Sequence, residues 1–584
     1  MYGVAGKILW VDLTLGACSV ETIPETVYQQ VLSGMGLAAY VLLKRIPVGA
    51  DPLGPENVLG FVSGLLTGTG ASFSGRWMAV ALSPLTGTWG DANCGGTLAL
   101  AIKQCGFDGI FFTGASKRPV ILVVEDGHPE LRDANSLWGK DAIETERLIL
   151  SEHPGERFSV ASIGMAGEKQ SLMAGIVNDQ GRMAARSGLG AVMGSKKLKA
   201  IALRGHFPVS TADPTEMDGL NASAKRWARF QPPFLPGWMM PFLGGLMRIL
   251  PYQMAMDGLL YKTLLRKWGT IGMNQMGVEM GDAPIQNWRG SSRDYGVRRS
   301  SLVNPDRITA KQKLRYHCAA CPLGCGGISE PFAGLEMHKP EYETVQAWGG
   351  LLLNNDLESI YRVNDLLNRA GMDSISAGAT VAFAIECFEK GLLTREDTGG
   401  LELRWGDPVV ILDLAGKMVR REGIGDLLAD GSRLAAEHIG HGADRFAIHA
   451  GGQEWAMHDG RSDPGFALRA VVEPTPGRHT LGSQLYYEMF ALWTRVDGLP
   501  RVQRFYPKRR KYLADDTHAK MDAACSQFTA LINGAGICLF GAFLGVQRIP
   551  VFEWLNAVTG WQKTPAEYMR IGWTIQSMRQ AFNA

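Results

Sequence analysis

Three cysteines lie within one short stretch, Cys318-Ala-Ala-Cys321-Pro-Leu-Gly-Cys325, and a fourth, Cys538, follows far downstream. Gaps of two and three residues let three thiolates bind one corner of a cubane iron–sulfur cluster, and the last iron then needs a distant thiolate. A glycine stands on each side of Cys325, where the backbone must turn closely around a sulfur. These residues predict an electron-transfer [4Fe–4S] cluster.

A structural zinc site is the main alternative, because zinc sites also use a Cys-x-x-Cys half. Such sites pair two halves at short range, and this chain has no second Cys-x-x-Cys. A fortuitous group of thiols is the third interpretation. The number and spacing of the ligands favour the iron–sulfur cluster. The other five cysteines are interpreted as packing thiols: Cys18, Cys94, Cys105, Cys387 and Cys525.

Two glycine-rich stretches carry groups that suit bound anions. One spans residues 67–96 and includes Arg76, Asn93 and Gly95; the other spans residues 178–190 and includes Arg182 and Met183. Backbone N–H groups of such loops, with an arginine nearby, bind phosphates. The alternative is a pair of sheet-connecting turns with solvated lysines behind them. A dinucleotide-binding interpretation fails, since no G-x-G-x-x-G is completed.

An internal echo relates two further segments, Asn368-Arg-Ala-Gly371-Met-Asp373 and Asn533-Gly-Ala-Gly536-Ile-Cys538. Each follows a helical pattern, so both could be glycine C-caps of helices. The other interpretation is two loops that present amide and carboxylate groups to one ligand from opposite sides. The second segment contains the expected fourth cluster ligand, which favours ligand binding.

Composition excludes several classes of function. A hydrophobic content of 46%, a charged content of 20% and a net charge of +2 are typical of a soluble globular protein and give no case for nucleic-acid binding. Glycine is in excess, at 72 of 584 residues, which indicates many tight turns. Nine cysteines in so long a chain do not form a disulfide framework, and the N-terminus has no signal peptide. We expect a cytoplasmic protein.

An apolar segment, residues 232–251, resembles a membrane span but carries five prolines and Arg248. Pro236 and Pro241 would break a spanning helix, so no transmembrane span is predicted. We expect a buried substrate-channel lining or a partner-subunit surface, with monotopic membrane contact as the remaining alternative.

The patterning predicts an α+β fold with a β-rich N-terminal domain followed by two mainly helical domains. Short apolar runs bounded by Gly, Asp and Pro, such as residues 7–12, 120–125 and 200–204, predict strands within residues 1–207. Helical periodicity at residues 356–367 and 377–389 begins a helical region. We predict domains at 1–207, 208–400 and 401–584, with a cofactor at their junction.

At several of these motifs the chain resembles the tungsten- and molybdenum-pterin aldehyde:ferredoxin oxidoreductases, over nearly its whole length. The matching stretches are Tyr2-Gly-Val-Ala-Gly-Lys7, Leu66-Thr-Gly-Thr69, Ser83-Pro-Leu-Thr-Gly87, Ile163-Gly-Met-Ala-Gly-Glu168, Gly190-Ala-Val-Met-Gly-Ser-Lys-Lys-Leu-Lys199, the cysteine motif, Pro340-Glu-Tyr-Glu-Thr344 and Ala535-Gly-Ile-Cys538. Their shared order makes a chance match very improbable.

The resemblance implies a tungsten or molybdenum ion held by two pterin dithiolenes, Mg²⁺ between the pterin phosphates, and a [4Fe–4S] cluster beside one pterin. By position, Arg76 would link cluster and pterin, with Gly95 beside it, and Asn93 would help hold the Mg²⁺. Arg182 and the carbonyl of Met183 would lie at the phosphates. The cluster ligands would be Cys318, Cys321, Cys325 and Cys538. No residue decides between tungsten and molybdenum.

Two departures from the family pattern concern the pterin-binding motifs. Asn368 and Asn533 stand where the family usually has Asp, while Gly371 with Asp373 and Gly536 keep the rest of each motif. The change preserves hydrogen bonding but removes two negative charges, which alters the expected redox tuning of the pterins.

For catalysis, the resemblance assigns Glu343 as the acid/base beside the metal and His479 as the group that polarises the substrate carbonyl. Oxidation of an aldehyde needs a base for a proton and a donor for the developing oxyanion. The alternatives are a solvated carboxylate at a helix start and a loop histidine with satisfied hydrogen bonds.

These residues predict an aldehyde oxidoreductase that is reversible in principle as a carboxylic-acid reductase. Its electrons are expected to pass to ferredoxin or to a separate iron–sulfur subunit, and we expect an oligomer or a multi-subunit complex. The alternatives are the catalytic subunit of an aryl-coenzyme-A reductase of the same family, a branch without the Pro-Glu-Tyr-Glu motif, and a non-catalytic iron–sulfur electron-transfer subunit.

Overall fold

A computed structural model of the chain describes residues 1–232 and 236–584. Its N-terminal part contains two six-stranded sheets. The first consists of β1 Lys7–Asp12, β2 Ala17–Thr22, β3 Leu59–Ser63, β4 Trp77–Leu82, β5 Trp89–Cys94 and β6 Gly109–Thr113. The second consists of β7 Val120–Glu125, β8 His128–Asp133, β9 Ser159–Ser162, β10 Ile176–Asn178, β11 Arg182–Ala184 and β12 Leu198–Arg204.

The two sheets repeat one topology. The first has the order β2-β1-β6-β3-β4-β5, and the second, read from its other edge, has the order β8-β7-β12-β9-β10-β11. In each sheet one pair is parallel, β1 with β6 and β7 with β12, and all other pairs are antiparallel. Each sheet therefore presents equivalent loops to the rest of the molecule.

Six helices accompany these sheets: α1 Glu25–Val31, α2 Gly34–Arg45, α3 Leu98–Gln104, α4 Ala142–Ser151, α5 Met165–Glu168 and α6 Leu189–Ser195. The described remainder is mainly helical: α7 Pro214–Arg229, α8 Met240–Ile249, α9 Gly258–Trp268, α10 Asn274–Met280, α11 Ser292–Ser300, α12 Pro305–Thr309, α13 Tyr342–Trp348, α14 Leu357–Ala370, α15 Ser374–Glu389, α16 Pro408–Arg420, α17 Ile424–Leu428, α18 Ser432–Ile439, α19 Pro464–Val472, α20 Gln484–Phe490, α21 Asp516–Ala535, α22 Leu539–Ala542, α23 Val551–Thr559 and α24 Pro565–Asn583.

Short strands complete the described chain: β13 Tyr252–Met254, β14 Gln312–Tyr316, β15 Gly326–Phe332, β16 Leu335–His338, β17 His449–Ala450, β18 Gln453–Glu454 and β19 Phe505–Pro507. The β-rich block followed by a helical block confirms the predicted α+β class. The two boundaries between the three predicted domains stay a prediction. The core that contains Val345 and Phe383 also includes Met418 and Met457.

Two helices end at the glycines of the internal echo. Asp356 caps the N-terminus of α14 by accepting a hydrogen bond from the Ser359 N–H, and α14 ends at Gly371 with φ +69°. Helix α21 ends in the same way at Gly536 with φ +82°. A positive φ strains a residue with a Cβ, so glycine is the favoured residue at both helix ends. Both glycines are therefore C-caps, as one interpretation of the echo predicts.

The apolar segment at 232–251 forms a 3₁₀ turn, Gly237–Met239, and then α8; residues 233–235 lie outside the described residues. Pro241 stands in the first turn of α8, where proline is tolerated. Phe242 and Ile249 are 67% and 76% exposed, so the prediction of a buried channel lining is wrong for this helix. A partner surface stays a prediction. Within the described parts of the chain, each helix is too short or too polar to cross a bilayer.

Candidate active site

A cavity of about 400 Å³ lies between the first two sheets and helices α13, α14, α15 and α21. Its lining includes all of the predicted site residues except the two capping glycines: Arg76, Asn93, Gly95, Arg182, Met183, Cys318, Cys321, Cys325, Glu343, Asn368, Asp373, His479, Asn533 and Cys538. Gly371 and Gly536 are the C-caps of α14 and α21, three residues after Asn368 and Asn533, which do line the cavity. The structure thus brings the predicted residues together around one space.

The four cysteines of the predicted cluster reach this cavity from two segments that Phe73 joins. The Phe73 N–H donates to the carbonyl of Ala320, between the clustered cysteines, at 2.8 Å. The carbonyl of Phe73 accepts from the Cys538 N–H at 2.9 Å. Burial, followed by the charges of Cys538 and Cys318, raises the pKa of Cys321 to about 12. A bound cation would reverse this effect, because it stabilises the thiolates.

Gly95 lies at the point where the cluster loop meets two arginines. A Cβ at Gly95 would lie 2.7 Å from Cys318 Sγ and 2.8 Å from Arg76 Nη1. Arg76 Nη2 donates to the Asn93 carbonyl at 3.1 Å, and Arg76 Nε donates to the Asn93 side chain. The guanidinium of Arg182 stacks 4.6 Å from the centre of the Tyr316 ring. Two fixed cations therefore face the cavity beside the cysteines, as anion binding requires.

Two turns at helix ends, residues 368–371 after α14 and residues 533–536 after α21, pack on equivalent loops of the two sheets. A Cβ on Gly64, directly after β3, would lie 2.1 Å from the Cα of Gly536, and a Cβ on Gly164, after β9, would lie 2.3 Å from the Arg369 carbonyl. The Gly175 N–H donates to the Gly371 carbonyl at 2.8 Å. Close backbone approach thus fixes each turn against its own sheet.

Polar side chains of these two segments contact residues of the N-terminal part of the chain or line the cavity. Asn533 Oδ1 accepts from Asn93 Nδ2 at 3.0 Å. Asp373 caps α15 and forms an ion pair with Arg186, whose Nε lies 3.4 Å from Asp373 Oδ2. Asn368 lines the cavity from the last turn of α14. The functional interpretation of the echo, two loops facing one ligand, is compatible with these positions and stays a prediction.

Glu343 stands in the first turn of α13 and is largely buried. Its Oε2 accepts from the Met457 N–H at 2.8 Å. Its Oε1 lies 3.3 Å from His458 Nε2 and 3.5 Å from His479 Nε2. Glu343 is therefore not a solvated carboxylate, since two imidazoles and one backbone amide surround it.

His458 joins Glu343 to a second carboxylate. Its Nδ1 lies 2.9 Å from Asp282 Oδ2, and its ring stacks on Phe466 at 4.4 Å between centroids. Burial disfavours the charged imidazole, but Asp282 and then Glu343 raise the pKa of His458 to about 10. Burial likewise opposes ionisation of Glu343, yet His479, His458 and the Met457 N–H lower its pKa to about 2. This pair is therefore charged at neutral pH.

His479 is neutral beside that pair. Burial lowers its pKa to about 4, because the attraction of Glu343 does not compensate for the lost solvation and the charge of His458. A neutral imidazole carries one N–H donor and one acceptor nitrogen. With one nitrogen directed at Glu343, His479 has the other nitrogen for a bound molecule.

Several buried polar atoms around the cavity find no hydrogen-bond partner among the described residues: Arg182 Nε, Arg186 Nη1, Glu343 Oε1 and His479 Nδ1. Buried polar groups are almost always hydrogen-bonded in native proteins. Two guanidinium groups that each keep an unpartnered nitrogen, four free thiols and a glycine that leaves room between them fit an anionic, phosphate-bearing cofactor beside an iron–sulfur cluster.

Sequence reasoning missed three residues of this site: Asp282, His458 and Arg186. His458 is one of 11 histidines, but the segment Met457-His458-Asp459 matches no motif that would mark it as a site residue. Arg186 lies within the second glycine-rich stretch, residues 178–190, where only Arg182 and Met183 were assigned a role. Asp282 had no signal, since its partner is distant in the sequence and isolated aspartates are common.

Known proteins resemble this chain over nearly its whole length. Sequence profiles of the aldehyde ferredoxin oxidoreductases match residues 8–205 (N-terminal domain) and 253–584 (domains 2 and 3). The tungsten-containing aldehyde ferredoxin oxidoreductase of Pyrococcus furiosus is 35% identical over 586 residues, covering 100% of this chain and 89% of that protein. An aliphatic sulfonate oxidoreductase, WOR-like subunit, of the same organism is 30% identical over 507 residues, 82% of this chain and 75% of that protein.

A solved structure shows the same fold. It is the active-site complex BamBC of benzoyl coenzyme A reductase with 1,5-dienoyl-CoA, with a TM-score of 0.80 and 26% identity, covering 100% of this chain and 89% of that chain. The profiles together span most of the sequence, and the identity to the tungsten-containing relatives extends over the whole chain. The chain therefore belongs to the aldehyde ferredoxin oxidoreductase family and is an oxidoreductase.

Proposed function

We propose that the chain is a tungsten- or molybdenum-bis-pterin enzyme that oxidises aldehydes to carboxylic acids and passes the electrons through a [4Fe–4S] cluster to ferredoxin or to a partner iron–sulfur subunit. The observation that carries the proposal is Glu343, held between two histidines in a cavity that four cysteines and two arginines, each with an unpartnered nitrogen, also line.

The residues divide into cofactor-binding and catalytic groups. Arg76, Asn93, Arg182 and Asn533 would hold the pterin phosphates and Mg²⁺, and the four cysteines would hold the cluster. When bound, the metal–pterin group would take up the two electrons of the oxidation and the cluster would transfer them singly. Oxidation of an aldehyde by water yields a carboxylate, three protons and two electrons.

Proton transfer falls to the protein. Glu343 is ionised at neutral pH and can accept a proton from the attacking water at Oε1. A carboxylate with a pKa of about 2 is a weak base, and His479, His458 and the Met457 N–H together cause this low value. When Glu343 gains a proton, His458 loses a negative neighbour and becomes more acidic, so the two groups titrate together.

His479 orients the substrate in this proposal. With its proton on Nδ1, the nitrogen that has no partner among the described residues, this neutral imidazole can donate an N–H to the aldehyde oxygen, which becomes more negative as water adds. Nε2 is then the acceptor and faces Glu343, which can donate to it once the carboxylate has gained a proton. The hydrogen bond to the uncharged aldehyde oxygen is weak, and it strengthens as that oxygen gains negative charge. It therefore stabilises the transition state more than the bound substrate.

A second candidate, the catalytic subunit of an aryl-coenzyme-A reductase, is favoured by the similarity to the BamBC complex. The presence of Glu343 in Pro-Glu-Tyr-Glu, surrounded by two histidines, favours aldehyde oxidation. Identity to tungsten-containing aldehyde ferredoxin oxidoreductases is also higher, at 35% against 26%.

The test is anaerobic purification, elemental analysis and turnover with the dye benzyl viologen as the electron acceptor. We expect tungsten or molybdenum, four irons and acid-labile sulfide per chain, and aldehyde-dependent dye reduction. Zinc without iron would contradict the cluster. Dye-linked reduction of an aryl-coenzyme-A ester without aldehyde oxidation would support the second candidate. Full-rate reduction of NAD⁺ by the isolated chain would contradict ferredoxin-type electron transfer.

A further inference from the structure

A strongly basic surface lies beside the cysteine motif. This basic face consists of five cationic side chains: Lys225, Arg226 and Arg229 at the end of α7, Arg266 near the end of α9, and Arg315 on β14. The three α7 side chains are exposed, and Arg266 and Arg315 are half-buried.

Hydrogen bonds join the elements of the basic face. Arg266 Nη1 donates to the carbonyl of Ala228 in α7 at 3.0 Å. Arg315 Nη2 donates to the carbonyl of Lys267 in α9 at 3.0 Å. An open groove of about 440 Å³ runs between them, lined by Gln231, Pro232, Arg266, Lys267 and Arg315. Two cations of the basic face, Arg266 and Arg315, therefore line this groove, and the hydrogen bond from Arg266 to Ala228 joins it to the end of α7, which carries the other three.

The basic face adjoins the expected cluster ligands. Arg315 stands three residues before Cys318 in the sequence, and on the β14–β15 ladder it pairs with Gly327, two residues after Cys325. Gly269, directly after α9, packs so closely on Cys325 that a Cβ there would lie 2.4 Å from the cysteine carbonyl. The cluster loop itself reaches solvent at its exposed residues His317 and Ala320.

Charge on the basic face is not balanced locally. Residues 219–256 contain no Asp or Glu. In the part of the chain that the structure describes, none of the five cations has a carboxylate oxygen within 4 Å, and their described contacts are to backbone carbonyls. Two exposed apolar side chains, Phe230 at 50% and Leu314 at 59%, accompany them. An apolar contact with a charged surround is typical of transient protein interfaces.

We propose that the basic face is the docking surface for an acidic one-electron carrier of the ferredoxin class. The inference rests on the proposed function, because it requires a cluster at the four cysteines. Opposite charge accelerates encounter and orients the carrier with its own cluster toward the cysteine motif. Each aldehyde oxidised releases two electrons, so two carrier molecules are reduced by one electron each per turnover, and the protons leave to solvent.

The test compares two variants of equal charge change in the full-length protein. Lys225→Glu/Arg229→Glu reverses two exposed cations of the basic face that make no described side-chain contact. The matched control is Arg501→Glu/Arg509→Glu, which reverses two exposed arginines on either side of β19. This segment is far in sequence from the elements that form the basic face. Binding of a purified acidic bacterial ferredoxin is measured by calorimetry at low and high salt, together with the rates of ferredoxin and benzyl viologen reduction.

We expect the basic-face variant to weaken ferredoxin binding by about tenfold or more at low salt and to flatten its salt dependence. Iron content and dye reduction should equal those of the wild type, and the control should bind normally. Unchanged binding in the basic-face variant, or a loss confined to the control, would overturn the proposal. Absence of iron and of dye reduction in the wild type would instead refute the proposed function, and the binding measurement would still decide the docking surface.

Discussion

His458 Nε2 lies 3.3 Å from Glu343 Oε1, so that an imidazole from the loop after β18 is paired with a carboxylate at the start of α13. The same ring is fixed from behind by Asp282 and by stacking on Phe466. Because the histidine lies between two carboxylates, it keeps its proton and keeps Glu343 ionised. The acid/base of this site is thus a pair of residues rather than one carboxylate.

Replacement of Glu343 by Gln should lower kcat for aldehyde oxidation by about 10²–10⁴-fold, because the amide cannot accept the proton. Iron and tungsten or molybdenum content should not change, since Glu343 is not proposed as a ligand. The measurement is dye-linked turnover together with elemental analysis. Glu488→Gln is the matched control, since Glu488 is also a buried carboxylate but bonds to Tyr506 and the Met256 N–H. Near-normal kcat in both variants would make Glu343 structural; loss of metal from Glu343→Gln would assign it to cofactor assembly.

The paired charges predict the pH range of the site. The pKa of His458 is raised to about 10, so its contribution to stability is complete below its ordinary pKa and is lost as pH rises through 10. The pKa of Glu343 is lowered to about 2, so its contribution is present above its ordinary pKa and is lost as pH falls through 2. The pair is therefore charged between about pH 2 and pH 10, and both contributions to stability are complete only between the ordinary pKa values of the two groups, 4.5 and 6.5.

Asp282→Asn should move the alkaline limit of this range downward, because it removes the largest charge interaction that raises the pKa of His458. The measurement is the pH dependence of kcat/KM with an aldehyde and benzyl viologen. A shift of the alkaline limb toward neutral pH is expected in the variant. An alkaline limb at the wild-type position would show that protonation of His458 does not control the reaction.

Cys538→Ala should leave fewer than four irons per chain and remove the low-potential paramagnetic resonance signal, because one iron of a cubane loses its thiolate. Cys525→Ala is the control, since Cys525 is fully buried near Ser483 and does not line the cavity. Iron analysis and resonance spectra of both reduced proteins decide the matter. Equal iron content in the two variants would remove Cys538 from the ligand set.

Gly95→Ala should impair loading of the cluster and the pterins. The new methyl group would lie 2.7 Å from Cys318 Sγ and 2.8 Å from Arg76 Nη1, so the loop or both side chains must move. Gly219→Ala in α7 is the control, because its Cβ would meet no atom within 4 Å. The readout is iron, metal and pterin content of the purified proteins. Normal loading of Gly95→Ala would show that this loop adjusts freely.

The sequence alone determined the members of the site wherever chemistry depends on spacing along the chain. Three features identified residues that line the cavity: the gaps in the cysteine motif, the repeated segments at 368–373 and 533–538, and the glycine-rich stretches. The change from strand-like to helical periodicity along the chain predicted the α+β class. A cysteine spacing restricts geometry directly, and a helix that ends in a left-handed turn favours glycine there.

Only the tertiary structure decided which distant residues act together. Asp282, Glu343 and His458 come from three separate segments, and no local pattern relates them, because a buried charge finds its partner through packing and not through spacing. The sequence also did not predict the repeated sheet topology, because the strand order of a sheet depends on pairing between strands that are distant in the sequence. For the same reason the exposure of α8 could not be predicted: apolar composition alone does not distinguish a buried helix from a surface helix that faces solvent.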